Sequence, residues 1–149
     1  MNGIVVSDST CLIALERIGR LELLPAVFEQ IWIPPAVAAE FGQSLPWLQV
    51  RAPADARAVA AYEAVVDAGE AAAIALATEL KCEVILDDMQ ARRLAVREGI
   101  PCVGLLGVLL RAKHAKQLAA VGPLIDALRA QSFHVSPSLV AEALRLAGE

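Results

Sequence analysis

Short apolar runs alternate along this chain with longer stretches of helical periodicity. Residues 4–6 have the pattern of a short buried strand. Ser7-Asp8-Ser9-Thr10 then offers several N-caps, and Leu12, Ile13, Leu15 and Ile18 mark one face of a helix ending near Gly19. A second short helix is expected over residues 21–28, and residues 31–33 read as a strand stopped by Pro34-Pro35. Proline is tolerated in a first helical turn, so 35–41 reads as a short helix carrying Glu40. Residues 46–53 are the least regular stretch. Helices follow over 57–66 and 70–80, broken near Asp67–Gly69. Residues 84–86 form a second apolar strand ended by Asp87-Asp88, and 89–98 is helical with Gly99 as its stop. The remaining pattern predicts a strand at 101–103, helices over 105–116 and 123–131, a last strand at 133–135, and a closing helix over 137–147.

Strands alternating with helices imply βαβ units and a mainly parallel sheet, hence an α/β fold. Ligands of such sheets bind in the crevice beyond the carboxyl ends of the strands. A length of 149 residues fits one domain over 1–149, and 57% hydrophobic content excludes disorder as the main state. A mean hydropathy of +0.55 raises the question of a membrane span. The most apolar segment, 100–110, is too short for one and is interrupted by Pro101, Gly104 and Gly107, so a cytoplasmic location is expected. Cys11, Cys82 and Cys102 have no metal-ligand or redox spacing and read as reduced thiols.

The candidate chemistry is acidic. Asp8 follows the first strand and Asp87-Asp88 follow the strand at 84–86; if both strands are parallel and central, their carboxylates emerge at one sheet edge. Glu40 ends a short helix, and Glu70 opens another just after Gly69. Each acid taken alone has a structural explanation as a cap, a dipole partner or a solvated side chain. Together, gathered carboxylates repel one another unless they share a cation. Oxygen-only ligation points to Mg²⁺ or Mn²⁺. Such cations would also reconcile a net charge of −4 with an anionic ligand. Arg92, Arg93 and Lys113 are candidates for phosphate contacts, with ion-paired helix faces as the alternative. His114 and His134 are not placed like a catalytic pair.

Several blocks resemble PIN domains in the same order. They are Val5–Leu15, Leu24-Pro25 with residues 33–37 and Glu40, the Gly69-Glu70 helix start, Leu86-Asp87-Asp88 with residues 91–95, and Gly104 through Lys113. The resemblance implies a Rossmann-like three-layer fold and Mg²⁺- or Mn²⁺-dependent cleavage of RNA. It also implies a toxin of a toxin–antitoxin pair, homodimeric and silenced by a cognate antitoxin protein. Carried over by motif, the catalytic, metal-binding acids are Asp8, Glu40, Glu70 and Asp87, with Thr10 as an accessory hydroxyl. The chain lacks the threonine that many such toxins place before the last aspartate, so Asp88 stays open as a ligand beside the preferred Asp87. Lys116 stands where the similar sequences have glycine, so that helix's stop is open as well. A catalytically silent PIN-like RNA- or protein-binding module is the alternative function. A receiver-type Mg²⁺-binding signalling domain fits less well, because its adjacent acids would follow the first strand.

Overall fold

Five parallel strands run through the middle of the computed structural model, which describes residues 2–149. They are β1 (Asn2–Ser7), β2 (Phe28–Ile33), β3 (Leu48–Val50), β4 (Glu83–Ile85) and β5 (Cys102–Val103), in the order β3-β2-β1-β4-β5. The helices are α1 (Ser9–Arg17), α2 (Leu23–Val27), α3 (Pro35–Phe41), α4 (Ala56–Glu63), α5 (Ala68–Leu80), α6 (Met89–Arg97), α7 (Leu105–His114), α8 (Gly122–Ala130) and α9 (Pro137–Ala147).

Strand alternation divides the core. Val5, Ile85 and Val103 face a large apolar cluster with Leu12 and Leu15 of α1, Val37 of α3, Leu105 and Leu109 of α7, and Leu128 of α8. Val6, Val84 and Leu86 face the opposite side, against Ile74 and Leu76 of α5 and Leu94 of α6. This side-switching at consecutive residues is the two-residue period of a strand buried on both faces. The result is the expected three-layer α/β arrangement, with every strand pair parallel. Among the described residues no helix is long and apolar enough to cross a membrane.

The chain climbs from β1 through β2 to β3, then returns to the other side of β1 for β4 and β5. The order therefore reverses between β1 and β4, where a crevice opens at the carboxyl ends. β1 and β4 pair directly, Ser7 opposite Ile85, so whatever follows each strand emerges side by side.

Two expectations need correction. Residues 133–135 form no strand; Phe133 and Val135 instead pack their side chains on the larger cluster on the way to α9. The alternating apolar pattern there reflects docking of a loop rather than ladder pairing. Conversely, β3 lies inside the stretch read as irregular. It is a three-residue edge strand that buries only Leu48 and pairs only with β2, too short to give a period.

The stop of α7 answers the question left by Lys116. Lys116 takes the left-handed conformation (φ +60°), with Lys116 N–H donating to Lys113 O and Gln117 N–H to Ala112 O. This is the Schellman arrangement that glycine favours. Holding an L-residue there costs about 1–2 kcal/mol. Lys116→Gly is therefore expected to stabilise the protein by about 0.5–1 kcal/mol after glycine's own entropy cost. A thermal melt should show this as a midpoint raised by about 1–4 °C.

Candidate active site

Asp8 lies directly beyond β1 and serves as the N-cap of α1, its Oδ1 accepting the Cys11 N–H at 3.0 Å. It is only 3% exposed. Burial pushes its carboxyl up to about 8, and the negative charges of Asp87 and Glu70 add to this, while the Cys11 N–H opposes it.

Asp87 reaches the same place from the neighbouring strand. Leu86 N–H donates to Val103 O and continues the sheet pairing one residue past β4, so Asp87 is the first residue free to turn. Its Oδ1 accepts the Leu105 N–H at 3.1 Å, at the start of α7. Its Oδ2 is buried and has no hydrogen-bond partner. Burial raises its carboxyl, with the Leu105 N–H and the Arg92 charge opposing. Asp88 behaves differently. It is exposed, and its Oδ2 accepts the Ala91 N–H at 2.9 Å as the N-cap of α6. Of the adjacent pair, Asp87 faces Asp8 and Asp88 caps a helix.

Glu70 approaches from α5. Asp67 and Glu70 form a reciprocal capping box, with Glu70 N–H donating to Asp67 Oδ1 at 2.8 Å and Asp67 N–H to Glu70 Oε1 at 3.3 Å. Burial pushes the Glu70 carboxyl up to about 7, the Asp67 charge adds most to that, and Asp88 also contributes. Glu40, exposed near the end of α3, lies against the start of α5, where a Cβ on Gly69 would run into its Oε1. Gly69 thus lets two helix ends close on each other. Asp8 and Asp87 meet at the carboxyl edge of the sheet and the Glu70 charge acts on Asp8, whereas Glu40 is placed against Gly69 at the start of α5.

The basic residues divide. Arg92 belongs to this edge: its Nη1 donates to Leu86 O at 3.1 Å, and its charge acts on Asp87. A Cβ on Gly104 would stand 2.7 Å from Arg92 Nη1 and 3.1 Å from Asp87 Oδ1, so glycine leaves room for both side chains. Arg93 is exposed on α6. Lys113 sits eight residues along α7 from Leu105, about 12 Å away. There its Nζ is bonded to Glu149 Oε2 at 2.8 Å and to Ala147 O, fastening α7 to the end of α9. Arg111, two residues before Lys113 on α7, pairs with Glu83 and lies over the Phe28 ring.

Thr10 is exposed in the first turn of α1 and lines a cleft of about 500 Å³. The cleft runs from Asp87 and Asp88, along α1 as far as Arg17, to Phe133 and His134 beyond α8. Sequence reasoning did not single out Arg17 or Phe133 and set His134 aside. Nothing in their local pattern marks them, because they meet only when the α8–α9 connection folds over α1.

A family model described as a PIN domain matches residues 4–149. The chain belongs to the PIN-domain family. No match to a curated protein was found. A PIN domain is a nuclease-type fold, and the acid edge lies at the switch point where such an α/β sheet binds its ligand. No group of three His, Cys, Asp or Glu side chains among the described residues stands in ready-made ligand geometry. Glu70 and Asp88 each accept a capping N–H. The donor chemistry of this PIN domain nevertheless fits a hard dication. The set is all oxygen, two members are buried against their own ionisation, and one buried carboxylate oxygen is unpartnered.

Proposed function

We propose that this PIN domain is a Mg²⁺- or Mn²⁺-dependent endoribonuclease that hydrolyses RNA phosphodiester bonds. The observation that carries the reading is the partnerless, buried Oδ2 of Asp87 beside the buried carboxyl of Asp8. Leaving a buried carboxylate oxygen unpaired costs about 1–3 kcal/mol, more when charged, and a cation would repay it. Asp8 and Asp87 would hold the cation from below, with Glu70 and Glu40 completing the donor set from α5 and α3. When bound, a divalent cation supplies Lewis acidity, drawing charge from the phosphoryl oxygens and easing proton loss from water.

The chain's own groups do the positioning. The Leu105 N–H fixes one oxygen of Asp87 and leaves the other free toward the site. Arg92, anchored on Leu86 O, offers its remaining N–H groups to a phosphate beside Asp87. The Thr10 hydroxyl, on the cleft wall, would bond a non-bridging oxygen. Arg93 remains a peripheral phosphate contact, and Asp88 holds the loop after β4. Acting as the toxin of a toxin–antitoxin pair, as a homodimer inhibited by a partner protein, is part of the same proposal and is supported by the family resemblance.

Single-stranded RNA incubated with the purified protein should be cut with Mg²⁺ or Mn²⁺ and left intact with EDTA. Absence of cleavage with both cations would favour a silent RNA- or protein-binding module. Gly104→Ala tests the positioning of Arg92. The protein should fold with a melting point within a few degrees of wild type, while kcat/KM falls by about tenfold or more through displacement of the guanidinium. Unchanged kinetics would remove Arg92 from the mechanism.

A further inference from the structure

We propose that the cleft between α1 and the α8–α9 connection receives one unpaired nucleotide of the RNA next to the scissile phosphate. Its base lies on Phe133 and its phosphate at Arg17. The proposal rests on the ribonuclease reading of the acid edge and names the form of RNA that edge takes.

The cleft is continuous with the acid edge, since Asp87 belongs to both. Its volume of about 500 Å³ lies within the range of small-ligand sites. Apolar and polar groups both line it. Ile13 and Leu128 provide an apolar floor, and Gln131 and His134 provide hydrogen-bonding groups. Arg17 is exposed, and no carboxylate among the described residues pairs with it. Of the three phenylalanines, Phe28 and Phe41 are sealed in the core, whereas Phe133 is half-buried and lines this wall.

Phe133 is also firmly held. α8 ends in a Schellman turn with Ser132 left-handed (φ +65°), Ser132 N–H on Arg129 O, and Phe133 N–H on Leu128 O. A held aromatic residue that shares one cleft with an unpaired cation and an acid-edge carboxylate matches a nucleotide, a planar base joined to phosphate. Bases in an A-form duplex are stacked and unavailable to a lone ring, so the geometry selects single strands. A peptide would make no comparable use of a free cation and a phosphate-handling site in one cleft.

Binding of a labelled single-stranded RNA hexanucleotide can be followed by fluorescence anisotropy at low ionic strength in EDTA, with the full chain. Phe133→Leu keeps an apolar contact with the core, and Arg17→Gln changes only a surface side chain, so one remains informative if the other misfolds. Each should weaken binding by about fivefold or more, the lower end of the loss of one base stack or phosphate contact. Hexamers with a single abasic site should lose affinity for wild type at one position, and Phe133→Leu should be indifferent to that position. Wild-type affinity in both variants, no sensitivity to any abasic site, or no RNA binding would overturn the proposal. So would a partner protein whose binding alone responds to the variants. RNA that binds as described but is never cut with Mg²⁺ or Mn²⁺ would refute the nuclease reading and leave the subsite standing. Cleavage with wild-type KM in both variants would do the reverse.

Discussion

Asp8→Asn is expected to reduce metal-dependent cleavage by about three orders of magnitude or more, and also to raise the melting temperature of the cation-free protein. The loss follows from removing the deepest carboxylate of the donor set, because cation stabilisation of a phosphoryl transition state is worth several kcal/mol. The gain follows from burial. Asp8 is 3% exposed and its carboxyl sits at about 8 in the folded protein against 3.8 unperturbed. Between those values the folded state carries a proton that the unfolded chain releases. Stability contributed at low pH is thus fully present below pH 4 and is lost as pH rises toward 8. Asparagine has no charge to bury and caps a helix as well as aspartate, so α1 should start normally. In EDTA the variant's midpoint should exceed wild type by about 5 °C at pH 8, with the difference vanishing near pH 4. Cleavage assays with Mn²⁺ and calorimetric melts at the two pH values check both parts. Unchanged cleavage would remove Asp8 from the site, and a lower midpoint at pH 8 would refute the burial cost.

The second large effect is on pH dependence. Asp8, at about 8, and Glu70, at about 7, must lose protons before their oxygens can serve as ligands. Apparent Mn²⁺ affinity should therefore rise by about tenfold or more per pH unit between pH 6 and 7, then flatten above pH 8. Binding should release protons, and titration calorimetry in two buffers of different ionisation enthalpy would count them. Asp8→Asn should weaken binding and also flatten its pH response. An affinity constant across pH 6–8 with no proton release would contradict the picture of carboxyls protonated while the site is empty.

The parts of this architecture that depend on local pattern were legible in the sequence. The ends of the helices at Pro35–Phe41 and Pro137–Ala147 follow from proline starts and glycine stops, and they fall where the pattern puts them. The meeting of Asp8 and Asp87 was also legible, because parallel strands bring their carboxyl ends to one edge. What separates Asp87 from Asp88 was not. It depends on the Leu105 N–H, which lies 18 residues further on and binds only Asp87. The approach of Glu40 to Gly69 likewise depends on two helix ends distant in the chain. Lys113 had the charge expected of a phosphate contact, but it is half-buried and Glu149, 36 residues away, engages it. Arg17 and Phe133 share a wall only because α8 packs beside α1, and no period in the sequence carries that information.

The most direct test is anomalous scattering from a crystal soaked in Mn²⁺ near pH 8. A peak about 2.1 Å from carboxylate oxygens of both Asp8 and Asp87, including Asp87 Oδ2, is the expected result. A crystal saturated with Mn²⁺ that shows no peak at the carboxyl ends of β1 and β4, or one bound only by other residues, would contradict it.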